Sequence, residues 1–478
     1  MCGVALFFGD TAEQSISAAL DRLSHRGPDD HESWVSNRIA IGFVRLAIND
    51  VGINGRQPQK TGELISAFNC EIYNSDVLVK HYDLTLNSQC DAHVIAPLFT
   101  MLGSQILVEL DGFYSGVIYQ PATHTLYLMR DHIGKKPLFY GGSNNNLFVV
   151  SELKALQSIE WFKQVPLGIS KLELTTGQLT QVAEHAPHVG KTLKLAETME
   201  QAIIKRMPKQ SFGIFLSGGL DSSIIAKLAS KHRQDIIYFV LGDSNSSDVI
   251  IAKKLVRSLK LNKVHYISLP TKQELPTLIA EVVYTTESYN PSIISNGLAT
   301  YLLAKAARRE GLKVVLTGEG ADELFAGYHE KLSEESWKSI RGKLISDMRF
   351  TELRRLDKCT MAHGIEARCP FLDRAVKSIA DNTDYEELFF EDYNKAVLRK
   401  TFGHLLPIEI ANRKKMSFDV GSGIRKLVVN YLTRNGNSER AELKKIWRGI
   451  FSYNATNTYF SSYPIFDTAI ARRGESHK

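Results

Sequence analysis

Across the first 185 residues, short β-branched and aromatic runs alternate with turns. Residues 39–44, 64–68, 113–119, 125–129 and 147–150 are apolar or β-rich and bounded by Gly, Asn or Asp, which predicts strands. One helix interrupts them. Thr11 is its expected N-cap with Gln14 three residues on, Ile16, Leu20 and Leu23 share a face, and Gly27-Pro28 stops it. Mostly antiparallel strands with few helices predict an α+β sandwich. Near residue 190 the rhythm changes. Residues 213–216, 236–241, 264–269 and 314–316 are short apolar strands, and helical patterns follow the first three, as over 250–259 and 275–283. Alternation of this kind predicts an α/β, doubly wound parallel sheet with its ligand site at the strands' carboxyl ends. Residues 181–189 lack periodicity and form the expected linker. Beyond about residue 340 a helical region is expected, and after Asn435 the signal fades. The resulting division is 2–185, 190–435 and a tail over 436–478.

At ~150 residues per domain, 478 residues suit two or three domains. Charged residues at 23% and hydrophobic ones at 44% are ordinary for globular chains. A net charge of +6 over this length is too thin to imply nucleic acid or a membrane surface as partner. Five cysteines without a CxxC indicate neither a disulfide framework nor a zinc site and point to a reducing compartment. No run approaches the ~18 uncharged apolar residues of a membrane span. The N-terminus lacks a basic leader and meets Asp10 and Glu13 at once, so a signal peptide is not expected and a cytoplasmic location is.

Ser217-Gly218-Gly219-Leu220-Asp221-Ser222-Ser223 follows a predicted strand and opens a predicted helix. Glycines admit a phosphate close to the backbone, and a helix N-terminus presents unpaired N–H groups. Asp221 beside an anion makes sense if it holds Mg²⁺. Without Gly-Lys-Ser/Thr this is not the Walker loop; it resembles the SGGxDS loop of enzymes that split ATP into an adenylate and pyrophosphate. At the end of the strand finishing at Leu316 stands Thr317-Gly318-Glu319-Gly320-Ala321-Asp322-Glu323. There Asp322 is a second candidate metal ligand, and Glu319 could take a proton from an attacking amine.

Removal of Met1 would leave Cys2 with thiol and α-amine on one residue, and an amine of pKa ~7.7–8.0 can serve as base for that thiol. Cys2 is followed in order by Arg26-Gly27-Pro28-Asp29, Arg45-Leu46-Ala47-Ile48-Asn49-Asp50, Asn69-Cys70-Glu71-Ile72-Tyr73-Asn74, Cys90-Asp91 and Arg130-Asp131-His132-Ile133-Gly134. Together these resemble the glutaminase domain of asparagine-synthetase-type amidotransferases. The phosphate loop, the run 317–328 and Glu366-Ala367-Arg368-Cys369-Pro370-Phe371-Leu372-Asp373 resemble that family's synthetase domain.

The resemblance implies an N-terminal-nucleophile-hydrolase-like αββα sandwich joined to an ATP-pyrophosphatase domain. It casts Cys2 as attacking the amide of glutamine, with Asn69 and the Cys70 N–H as oxyanion donors. Arg45, Leu46, Ala47, Ile48, Asn49, Glu71 and Asp91 would hold the α-carboxylate and α-amine of glutamine. Leu216, Val240, Thr317 and Gly318 would line the adenylate, Ser217, Gly218, Gly219, Ser222 and Ser223 would cradle pyrophosphate, and Asp221 with Asp322 would bind Mg²⁺. Lys415 matches the family lysine that neutralises the acyl-adenylate, and ammonia would travel inside the protein between two active sites.

Cys70 stands where the family normally has Gly, which threatens glutamine hydrolysis through bulk or a positive φ. The chain is also short after Tyr328. Ser295 replaces an arginine expected near the acceptor, and Ile293 a threonine. The expected reaction is ATP-dependent, glutamine-hydrolysing amidation of a small carboxylic acid, aspartate by default, giving asparagine, AMP and pyrophosphate. Open alternatives are another carboxylic acid, a lactam- or peptide-bond-forming relative, and a non-catalytic nucleotide-binding homologue. The oligomeric state is open, a homodimer included.

Overall fold

A computed structural model describes residues 2–143, 146–186, 194–328, 333–389 and 393–461. The chain divides into two compact units, 1–187 and 188–478. Twelve strands build the first: β1 (Gly3–Phe8), β2 (Asp30–Ser36), β3 (Ile39–Arg45), β4 (Gln59–Thr61), β5 (Leu64–Ile72), β6 (Gly112–Gln120), β7 (Thr125–Arg130), β8 (Phe139–Ser143), β9 (Asn146–Val150), β10 (Trp161–Gln164), β11 (Gly168–Glu173) and β12 (Leu179–Ala183). They form two six-stranded antiparallel sheets, β10-β8-β9-β1-β3-β2 and β12-β11-β7-β6-β5-β4.

Side chains alternate across a strand, and β5 shows what that does. Ile65 and Ala67 enter the core shared with Cys2, Val4, Leu6, Ile41 and Phe43 of the other sheet. Phe68, Cys70 and Ile72 face a second core built with Ala92, Val94, Ile95 and Leu98. The helix Ala12–Leu23 covers the opposite outer face through Ile16, Leu20 and Leu23. The layers are therefore helix, sheet, sheet, helix, the expected αββα order. Thr11 precedes that helix but makes no side-chain capping bond. The helical run Asp91–Glu109 is long and apolar enough to span a membrane by length and composition alone, with a mean hydropathy of 1.3; half of it is buried against the second sheet.

The second unit holds five parallel strands, β13 (Phe212–Phe215), β14 (Ile236–Leu241), β15 (Val264–Ile267), β16 (Val314–Leu316) and β17 (Glu366–Arg368), in the order β15-β14-β13-β16-β17. The chain steps outward from β13 to β15 and then returns to the other side of β13 with β16. Strand order thus reverses between β13 and β16, and an open α/β sheet binds ligands in the crevice at such a point.

Three expectations change. Residues 181–183 of the expected linker belong to β12, while 187–189 lie outside the described residues. The region after 340 is not wholly helical, because Glu366–Arg368 completes the sheet. The tail after Asn435 carries a helix, Glu439–Ile450, capped by Ser438 and anchored by buried Leu443 and Trp447.

Candidate active sites

In the first unit Cys2 begins beside β1 with 9% of its surface exposed, at a cavity of about 30 Å³. Its backbone nitrogen donates to Asn69 Oδ1 at 3.0 Å, and Arg26 Nε donates to its carbonyl at 2.9 Å. Arg26 is itself fixed by the buried Glu152, which also pairs with Lys154 at 2.6 Å. Once Met1 is removed, the nitrogen held by Asn69 is the α-amine. Asn69 Nδ2 is buried and has no hydrogen-bond partner among the described residues, an uncommon state for a buried donor. Asn69 is fully buried beside the Cys2 nitrogen and stands outside the cavity lining, so its Nδ2 meets a bound amide only if the site opens around it.

Arg45, Leu46, Ala47, Ile48, Asn49, Cys70, Glu71 and Asp91 all line that cavity. Asn49 Nδ2 donates to both Glu71 oxygens (3.2 and 3.3 Å) and to Asp91 Oδ1 (3.1 Å). The two carboxylates therefore converge on one nitrogen, the arrangement an α-ammonium would use. Arg45 instead donates to the carbonyls of Gly52, at 2.7 Å, and Asp50, so these bonds must be exchanged for it to hold a carboxylate. Cys70 sits in regular β5 and carries no positive φ. Its thiol lies 3.6 Å from Asp91 Oδ2. Burial and then the Asp91 charge push that thiol well above its usual pKa, so it remains protonated and does not compete with Cys2 as nucleophile.

In the second unit the loop after β13 braces itself. Gly219 N–H donates to Ser217 Oγ, the Ser217 and Ser222 hydroxyls stand 3.1 Å apart, and Ser223 Oγ donates to the Gly219 carbonyl. The helix Leu220–Ala229 starts from this turn. The turn after β16 meets it closely: a Cβ on Gly318 would stand 3.0 Å from Asp221 Cβ. Ser217, Asp221, Ser222, Thr317, Gly318, Glu319, Asp322 and Lys415 all line one cavity of about 520 Å³. Gly219 lines a smaller neighbouring cavity of about 70 Å³ together with Asp221 and Lys415. The Leu216 and Val240 side chains are buried in the interior instead of facing either space, and Gly218 and Ser223 lie behind the loop's cavity face.

Asp221 and Asp322 come together, joined by a residue that no sequence motif marked. Lys395 Nζ stands 2.7 and 2.6 Å from the two Asp221 oxygens and 2.7 Å from Asp322 Oδ1. Lys415 Nζ takes Asp322 Oδ2 at 2.6 Å. Burial pushes the Asp322 carboxyl up, but the two ammonium groups outweigh it and hold it at about 2. Two carboxylates plus substrate phosphates are a donor set that suits Mg²⁺. Asp221 and Asp322 would hold the ion only if Lys395, which now occupies their oxygens, gave them up.

The cavity wall carries further polar groups to which the motifs assign no role. Arg355 Nη2 stands 3.6 Å from Glu319 and its Nη1 donates to Thr300 Oγ1 at 2.9 Å. Glu323 accepts from the Tyr328 hydroxyl at 2.5 Å, and burial with the charges of Glu352 and Asp322 raises its carboxyl to about 8. Ser295 is fully buried and its hydroxyl has no partner among the described residues, while Ser292, Asn296 and Thr300 present the cavity face of the helix Pro291–Arg309. Neither Ser295 nor Ile293 reaches the cavity, so neither supplies the acceptor contact that the expected arginine and threonine would make.

Residues 1–195 match the family model described as a glutamine amidotransferase domain, and residues 194–347 and 343–449 match the asparagine synthase model. A probable glutamine-hydrolysing asparagine synthetase of Acanthamoeba polyphaga mimivirus is 29% identical over 467 residues, covering 87% of this chain and 85% of that protein. The glutamine-hydrolysing asparagine synthetase of Zea mays is 31% identical over 465 residues, and a second such protein, from Oryza sativa subsp. japonica, is 32% identical over 464. Each of the two alignments covers 88% of this chain and 78% of the relative.

Proposed function

The chain belongs to the family of glutamine-hydrolysing asparagine synthetases, ATP-using ligases with a glutamine amidotransferase domain, and on that premise we propose that it makes an amide from aspartate. In this reading the second unit forms an aspartyl-adenylate and pyrophosphate from ATP, and ammonia displaces AMP to give asparagine. The observation that carries it is the meeting of two loops and a lysine in one cavity. The self-braced turn 217–223 and the acidic turn 317–323 adjoin at the sheet's reversal point, with Lys415 reaching across to Asp322.

The residues divide the work. Backbone N–H groups of the first turn would cradle the pyrophosphate portion, and Lys395 and Lys415 would neutralise phosphate charge as it builds. Asp221 and Asp322 would hold Mg²⁺, which would supply positive charge to offset the phosphates. Glu319, beside Arg355, faces the cavity where an ammonium proton must leave. In the first unit the Cys2 α-amine, oriented by Asn69, takes the thiol proton as sulfur attacks the glutamine amide carbon. Asn69 Nδ2 and the Cys70 N–H would receive the developing oxyanion.

The test is AMP release from ATP and Mg²⁺, with ammonium as nitrogen source and a panel of carboxylic acids. Saturable, aspartate-dependent AMP release is expected. AMP release with another acid alone would replace the acceptor and keep the chemistry; none with any acid would overturn the reading.

A further inference from the structure

Residues 413–422 bring Lys415, Phe418 and Val420 to the large cavity, and this stretch hangs on the first turn of the helix Ser247–Leu259. Ser246 Oγ donates to the Ser422 carbonyl at 2.9 Å, and Ser247 Oγ to the Gly421 carbonyl at 3.1 Å and to Met416 Sδ at 3.3 Å. The charged member of the set is Arg413 Nη2 on Asp248 Oδ1 at 2.6 Å. Asp248 is 3% exposed in a close socket: a Cβ on Gly421 would stand 2.2 Å from its Oδ1. The same guanidinium reaches the phosphate loop, since Arg413 Nη1 donates to the Ser217 carbonyl at 3.2 Å.

One side chain therefore ties three pieces together: the start of the phosphate loop, the helix after β14, and the stretch that delivers Lys415. We propose that Asp248 and Arg413 are positioning residues for Lys415, their ion pair holding the stretch against the loop so that the ammonium meets Asp322 and the reacting phosphates. A misplacement near 1 Å costs about 10²-fold in rate, and Lys415 lies only two residues from the anchor. The proposal rests on the adenylating reading of this cavity. Burial raises the Asp248 carboxyl to about 6 against the lowering charges of Arg413 and Lys415, the charged groups that face it. Protonation there removes the anchor's charge while leaving its shape.

The experiment uses the complete chain with Asp248→Asn and Arg413→Gln, the second changing a guanidinium at the cavity rim if the first misfolds. Acetic anhydride labelling of Lys415 relative to Lys414, read by mass spectrometry, reports the position of the lysine without any substrate. Pyrophosphate release with ATP, Mg²⁺, ammonium and aspartate reports the rate. Labelling of Lys415 is expected to rise at least about threefold in both variants, with kcat down about tenfold or more and KM for ATP changed much less. The fall in wild-type kcat through pH 6 should vanish in Asp248→Asn. Unchanged Lys415 labelling in both variants overturns the proposal. If the wild type releases no pyrophosphate with aspartate or any other acid, the adenylation reading fails, and the labelling ratio still decides whether the pair positions Lys415.

Discussion

At the scale of single residues, the first site turns on Asn69, which holds the Cys2 nitrogen with its oxygen and whose Nδ2 finds no acceptor among the described residues. Asn69→Ala should cut the glutaminase kcat by about 10²–10³, the usual effect of losing one oxyanion donor. A steady-state glutaminase assay with KM followed separately checks this. Glu323 offers a pH signature. Its carboxyl titrates near 8 in the fold and near the ordinary carboxylate value when unfolded. Between those values the folded state binds more protons than the unfolded one, so stability present at acid pH is lost as pH rises through 8. Melting temperatures from pH 6 to 9 should fall more steeply for the wild type than for Glu323→Gln.

At the scale of elements, the helix Glu439–Ile450 holds the far end of the second unit. Trp447 is fully buried, with rings of Tyr289, Phe451 and Phe460 at 5.7, 5.2 and 4.9 Å. Trp447→Ala should destabilise that unit by about 3–5 kcal/mol, read as a lower urea midpoint. Legibility in the sequence followed burial. Strands that are apolar throughout, β14 and β16, lie where the hydrophobic runs predict them. The edge strands β2, β4 and β12 are polar and partly exposed, so pairing with a neighbour and not their own pattern makes them strands. β17 escaped for the opposite reason: Glu366 and Arg368 are charged yet buried, reconciled by an ion pair of 2.6 Å. Motif residues of both sites were legible because their chemistry needs local spacing. Lys395 was not, since an isolated lysine acquires meaning only when folding brings it between two aspartates 174 and 73 positions earlier in the chain.

At the scale of the whole molecule, two chemistries in separate compact units should be separable. Cys2→Ala should abolish glutamine-dependent product formation and leave the ammonium-dependent rate unchanged. Chelation of divalent cations should do the converse, stopping ATP cleavage while free glutamine is still hydrolysed. Parallel assays of glutamate, AMP and amide product check both. Loss of glutamine hydrolysis on chelation would count against a purely thiol-based first site.

The bridge that Lys395 makes between Asp221 and Asp322 has a wider consequence. Because Asp221 and Asp322 are already paired with Lys395 and Lys415, the cavity needs no guest to neutralise its acids, and an incoming phosphate would have to compete with those acids for the same ammonium groups. Affinity would then reflect the difference between two well-paired arrangements and not the rescue of a bare one.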